Sequence, residues 1–188
     1  MNAPGADLDA SLAAARAGDA WGFEALFGAL GAPVVGYLRS RGVHDPDDVT
    51  NTVFLRAFRA LHTFSGDGER FRSWLFTIAH HASVDEQRRR GRRVTETPLD
   101  AMSAEPGGAA DEVADAVMAR LAMERVDGLL AQLSPEQRDV LVLRVVADLT
   151  VEQTAATLGK SYEAVKALQR RGLATLKRGL LAEQAVPR

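Results

Sequence analysis

Apolar residues recur every third or fourth position through most of this chain, the spacing that gathers them on one face of an α-helix. In AWGFEALFGAL, behind Asp19 as a capping residue, Trp21, Phe23, Leu26, Phe27 and Leu30 supply that face. A further stretch, PVVGYLRSRG, begins at Pro33. In HDPDDVTNTVFLRAFRAL, Asp45 sits at the N-cap, Pro46 at the first helical position and Asp48 at the third. Val53, Phe54, Ala57, Phe58 and Leu61 then share one stripe. SGDGE reads as a loop, and Phe71, Trp74, Leu75, Ile78, Ala82 and Val84 mark a helix that runs into DEQRRRGRR.

The pattern resumes in DEVADAVMARLAMERVDGLLAQL. Ser134 with Pro135 and Gln137 carries the start signal of a capped helix, PEQRDVLVLRVVAD. Thr150 caps VEQTAATLG, which Gly159 ends, and Ser161 caps YEAVKALQRRGLATLKRGL. Between the two halves, residues 94–112 hold Pro98, Pro106, Gly107 and Gly108 among small and acidic residues, and read as a flexible linker. The predicted fold is all-α: two small helical domains, 1–93 and 113–188, joined by that linker.

Composition changes the picture little. Hydrophobic residues make up 46% of the 188 and charged residues 26%, as in ordinary globular proteins. Cysteine is absent, which excludes disulfides and thiolate metal sites. The first twenty residues carry acids and no long apolar run, so no secretory signal is expected. No run approaches the ~18 apolar residues of a membrane span, so no membrane insertion is expected and the default compartment is the cytoplasm.

Charge matters through its distribution. The formal net charge is −2, yet Arg88, Arg89, Arg90, Arg92 and Arg93 crowd into one run. Lys160, Lys166, Arg170, Arg171, Lys177 and Arg178 form a second basic group, with Glu163 the single acid from 160 to 178. Two basic patches on an acidic background suggest two meeting places with nucleic acid.

The stretch 150–178 is the most informative. A short helix, a glycine turn and a basic second helix make a helix-turn-helix. The second helix must bury one face and offer the other to a DNA major groove. Val165, Leu168, Gly172 and Leu176 suit the buried face, with Leu173 beside them. Lys166, Gln169 and Arg170 suit the reading face, with Arg171 at its edge. His80 and His81, adjacent on a helix, point about 100° apart and chelate a metal poorly. No glycine-rich phosphate loop, nucleophile elbow or metalloprotease motif occurs, so neither enzyme activity nor a cofactor is expected.

LSPEQRDVLVLRVVADLTVEQTAATLGKSYEAVKALQRRGLATLKR resembles region 4 of bacterial RNA polymerase sigma factors of the extracytoplasmic-function, group IV class. DPDDVTNTVFLRAFRAL and FRSWLFTIAHHASVDEQRRRGRR resemble region 2 of the same family. The resemblance covers about 20–93 and 115–180. It implies promoter-specific transcription initiation, with three sets of site residues. For the −35 duplex these are Ser161, Glu163, Lys166, Ala167, Gln169, Arg170 and Arg171. For the melted −10 strand they are Phe64, Ser65, Asp67, Arg70, Phe71, His81, Arg88, Arg89 and Arg90. For the β′ coiled coil of the polymerase they are Asp48, Asn51, Leu55, Arg56 and Arg59.

The implied partners are core RNA polymerase, through its β′ and β subunits, promoter DNA and, as for many relatives, an anti-sigma protein. Asn51, Thr52, His81, Ala167 and Leu168 depart from the family's commonest residues. Rival readings are a helix-turn-helix regulator acting without polymerase, which leaves the 46–62 helix without a partner, and an RNA-binding adaptor, which leaves the recognition helix unexplained.

Overall fold

The computed structural model describes residues 7–93 and 110–184, and several of its helices start at a capping signal written in the local sequence. The elements are α1 (Leu8–Ala17), α2 (Ala20–Ser40), α3 (Pro46–Arg59), a 3-10 turn (Leu61–Thr63), α4 (Gly68–Arg93), α5 (Ala110–Ala131), α6 (Pro135–Val145), α7 (Val151–Leu158) and α8 (Tyr162–Gln184). Asp45 Oδ1 accepts the backbone N–H of Asp48 at 2.9 Å, as expected. Ser134 with Gln137, and Thr150 with Gln153, both close reciprocal capping boxes. Gly159, at φ 62°, ends α7 in the left-handed conformation that glycine adopts without a Cβ penalty. Of the proposed linker 94–112, residues 94–109 lie outside the described residues, and 110–112 belong to α5.

One local expectation is corrected, and one helix lies outside the expectations. The N-terminal stretch forms that helix, α1, capped by Asp7 and stopped by Gly18. The segments on either side of Pro33 form one helix, α2, with the proline inside. Pro33 has no N–H to offer the carbonyl four residues back. The helix persists because Leu26, Leu30, Val34, Tyr37 and Leu38 lie on one buried stripe across the proline. Burying each such side chain contributes roughly 1.5–3 kcal/mol, enough together to offset one lost bond. Asp19 stands at the N-cap of α2, but its side chain makes no capping bond.

Helices α1–α4 enclose a core that includes Leu12, Leu26, Tyr37, Val53, Phe71, Leu75 and Phe76, each at most 1% exposed. The crossing of α1 and α2 is very close. A Cβ at Gly22 would lie 2.4 Å from the nitrogen of Ala15 and 2.7 Å from the carbonyl oxygen of Ser11. A smaller cluster, Val140, Ala155, Val165 and Leu168, holds α6, α7 and α8 together.

The two helical domains also pack on each other. Val142, Leu143, Ala147 and Leu149 belong to the same apolar cluster as the α1–α4 core. Polar contacts frame the seam. Arg41 pairs with Asp139, and Arg138 donates to the Ser40 carbonyl at 3.1 Å. Thr77 and Thr157 hydroxyls meet at 3.1 Å, and Arg72 reaches Asp148 at 3.3 Å. By length and mean hydropathy (1.2 in its most apolar window), α2 alone among the described helices could cross a membrane, yet its apolar stripe is spent on this core.

Candidate nucleic-acid interface

Helix α8 is built to be read from one side. Val165 is fully buried and Leu168 nearly so, against Val140 and Ala155. At Gly172, α8 passes so close to α6 that a Cβ would sit 2.8 Å from Leu141 Cδ1. On the opposite side Ser161, Glu163, Lys166, Arg170 and Arg171 are exposed, and Ala167 and Gln169 are half-buried. Ser161 Oγ accepts the backbone N–H of Ala164 at 3.2 Å, so it caps the helix. Lys166 Nζ lies 5.3 Å from the Tyr162 ring centroid, which steadies the lysine near the start of the helix.

Leu173, expected beside the buried face, lies on the exposed one. It is 49% exposed and shares a shallow pocket with Arg144, Val151, Lys166, Gln169 and Arg170. Position 173 follows 166, 169 and 170 by seven, four and three residues, so helical spacing puts it on their side. Lys160, counted in the same basic group, pairs with Glu136. Its hydrogen bond and charge hold the Glu136 carboxyl below the usual range.

The second set of residues surrounds the loop between the 3-10 turn and α4. Ser65, Asp67 and Arg70 are exposed. Asp67 Oδ1 accepts the Arg70 backbone N–H at 2.9 Å and starts α4. Phe71 is corrected: it is fully buried and offers no ring face to a base. Its ring instead floors the loop, 5.7 Å from the edge-on ring of Phe64. Phe64, half-buried, stacks on Trp74 at 4.9 Å and 20°. Trp74 therefore serves the packing of this loop. Farther along α4, His81, Arg88, Arg89 and Arg90 are exposed. Arg89 lies 3.8 Å from Glu86, a loose surface pair.

Two residues absent from the sequence expectations act on this loop from α1. Arg16 Nη2 donates to the carbonyls of Phe64 at 3.0 Å and Gly66 at 3.1 Å, and its guanidinium lies 5.4 Å from the Phe64 ring centroid. Asp9 Oδ1 accepts the backbone N–H of Gly68 at 2.6 Å. The available signal was the helix itself: Asp7 as cap, Leu8, Leu12 and Ala15 at helical spacing, and Gly18 as stop. No spacing rule links it to a loop some fifty residues away.

On α3, Asp48, Asn51, Leu55, Arg56 and Arg59 are all exposed, with Leu55 at 49%. Asn51 also lines an open groove of about 570 Å³ with Phe27, Gly31, Val35, Arg39 and Met123. Beneath the domain seam, the Tyr37 hydroxyl lies 2.8 Å from His80 Nδ1. Burial, and the charge of Asp139, push the Tyr37 phenol far up. Burial, then the Arg41 charge, push the His80 imidazole down. His80 is thus engaged in packing, and the exposed His81 ring lies 6.0 Å from it, tilted by 54°.

The chain thus carries a helix with one buried and one basic exposed side on one domain, and an aromatic-floored loop beside a basic helix on the other. The chain matches the family models Sigma-70 region 2 over residues 26–93 and Sigma-70, region 4 over residues 129–178. It is 32% identical to the ECF RNA polymerase sigma factor BldN of Streptomyces coelicolor over 97% of this chain and 70% of that one. It is 34% identical to the ECF RNA polymerase sigma factor SigD of Mycobacterium tuberculosis, covering 97% of this chain and 88% of the relative. Among solved structures, CnrH in complex with the cytosolic domain of CnrY matches with TM-score 0.66 and 29% identity, over 94% of this chain and 99% of CnrH. The chain belongs to the ECF RNA polymerase sigma factors. It directs transcription as a sigma factor, and a regulator acting without polymerase is not favoured.

Proposed function

We propose that the chain docks on core RNA polymerase through the exposed α3 face and recognises promoters at two places. Ser161, Glu163, Lys166, Ala167, Gln169, Arg170 and Arg171 face the −35 duplex. Ser65, Asp67, Arg70 and His81 face the melted −10 strand, with Arg88, Arg89 and Arg90 on its phosphates. Long cationic donors suit both roles: they neutralise phosphates and reach base edges. The observation that carries this reading is the division of α8, with Val165 and Leu168 buried and Lys166 and Arg170 exposed on the opposite side. Each grip alone is weak. Held by the polymerase at promoter spacing, binding of one raises the effective concentration of the other.

The α3 face and the groove beside it suit a protein partner. Asp48, Arg56 and Arg59 supply charge, while Leu55 and the groove residues Phe27, Val35 and Met123 supply apolar surface. The complex of CnrH with the cytosolic domain of CnrY supports a second protein partner, of the anti-sigma kind, for this chain.

The test is reconstituted transcription with purified chain, core polymerase and a genomic DNA library. Replacing Lys166 and Arg170 together by alanine is expected to abolish selection at −35 and spare core binding. It should also lower the salt dependence of duplex binding by about one unit for each phosphate no longer neutralised. Promoter selection that survives the double change removes the assignment of this face.

A further inference from the structure

We infer that α1 is a clasp that holds the −10-reading loop in its working shape, with Arg16 and Asp9 as positioning residues. This inference rests on the proposed reading of the loop 64–68. The loop carries Ser65 and Asp67 outward and would be floppy on its own, with glycine at 66 and 68. Local structure supplies the bonds from the Phe64 N–H to the Leu61 carbonyl, from the Arg70 N–H to the Asp67 side chain and from the Phe71 N–H to the Asp67 carbonyl. The others come from α1. Arg16 joins the carbonyls of Phe64 and Gly66 through one nitrogen, at 3.0 and 3.1 Å, and so spans Ser65 from both sides. Its guanidinium and the Trp74 ring both lie against Phe64, which holds that ring in place. Asp9 takes the Gly68 N–H, which turns the start of α4 toward α1.

The fit of the clasp is tight. A Cβ at Gly68 would lie 2.4 Å from Leu8 Cβ and 3.1 Å from the Asp9 nitrogen. A Cβ at Gly66 would lie 2.9 Å from Arg70 Cδ and 3.2 Å from the Phe64 ring, at a φ of 150° open to glycine. Both glycines are therefore places where the loop is folded down onto its neighbours. A base captured outside the stack needs hydrogen-bonding groups already in position. Neither Arg16 nor Asp9 needs to touch DNA to provide that; they act through the loop backbone.

The test uses the full chain with core polymerase on promoters selected from the library. Open-complex yield is measured on templates that differ by single bases in the melted −10 segment. Arg16→Ala is expected to lower the yield on the preferred template by about tenfold, the order expected for removing two bonds from a charged donor. It should also flatten the preference among −10 bases, while core binding and −35 duplex affinity stay at wild-type values. Arg16→Lys, which keeps the charge but not the flat guanidinium against Phe64, should recover part of the preference. Asp9→Asn, which keeps the accepting oxygen, should recover more than Asp9→Ala. If wild type discriminates among −10 bases and Arg16→Ala discriminates equally, the clasp is overturned and the loop reading stands. If wild type itself shows no −10 preference, the loop reading fails first and the clasp with it.

Discussion

The two regions proposed to face DNA are held in shape by opposite means. Helix α8 is set by neighbours close in sequence. Thr150 and Gln153 cap α7, Gly159 turns the chain, and Ser161 caps the next helix within three residues. The loop 64–68 is set from afar: its bonds to Arg16 and Asp9 join residues 48, 50 and 59 positions apart. A capped helix packed on the two helices just before it in sequence can present a reading face with little help from distant elements. A glycine-bearing loop cannot, and must borrow its shape from a second element. The difference suits the two tasks, because duplex DNA accepts a whole helix in its major groove, whereas a flipped base needs a fitted pocket.

The strongest way to break the comparison is to part the two regions. Arg41 and Asp139, 10% and 14% exposed, form a largely buried charged link across the domain seam. Removing one member of a buried pair leaves the other uncompensated, at a cost of about 3–5 kcal/mol. Asp139→Ala is thus expected to lower the main calorimetric transition and to separate the melting of α1–α4 from that of α6–α8. A single cooperative transition at the wild-type temperature would show that the regions are coupled by their apolar seam alone.

A smaller effect separates tertiary from local restraint. At Gly22 an added methyl meets backbone atoms of α1, so Gly22→Ala should cost about 1–3 kcal/mol by overpacking. It should also loosen α1 from the loop. Thr150→Ala removes a cap and should cost about 1 kcal/mol, confined to the helix-turn-helix. Urea unfolding of both variants, followed by hydrogen exchange at the loop amides and in α7, checks the pair. Loop amides protected as in wild type in Gly22→Ala would contradict the tertiary restraint.

The smallest effect is a pH dependence beneath the seam. Burial, then the charge of Arg41, hold the His80 imidazole below its ordinary value of 6.5. In the window from that value down to the lowered one, the unfolded chain binds a proton that the folded chain does not. Folded stability is therefore fully present above pH 6.5 and declines as pH falls through the window. Thermal melts between pH 7.5 and 5.5 should show a decline that is shallower in His80→Gln. A His80→Gln profile parallel to wild type would assign the pH dependence to other groups.

Much of the fold could be read from the chain because helix signals are local. The caps at Asp45, Ser134, Thr150 and Ser161 lie where propensity and spacing put them. Pro33 misled for the same reason: its local preference is to end a helix, and only the stripe running from Leu26 to Leu38 outweighs it. The buried and exposed sides of α8 were legible from the alternation of Val165 and Leu168 with Lys166 and Arg170. Leu173 was misassigned because apolar character stood in for helical angle. Phe71 was misassigned because an aromatic beside a loop looks the same in sequence whether it faces a base or the core.

The amino-acid sequence by itself determined most of the helices, the helix-turn-helix and the two concentrations of positive charge, since each depends on residues within a few positions of one another. Tertiary structure alone decided which aromatic rings are buried, that the two domains share an apolar seam, and that α1 grips the loop 64–68. Those outcomes depend on contacts between residues some fifty to a hundred positions apart, and no local pattern encodes which distant surface a side chain will meet.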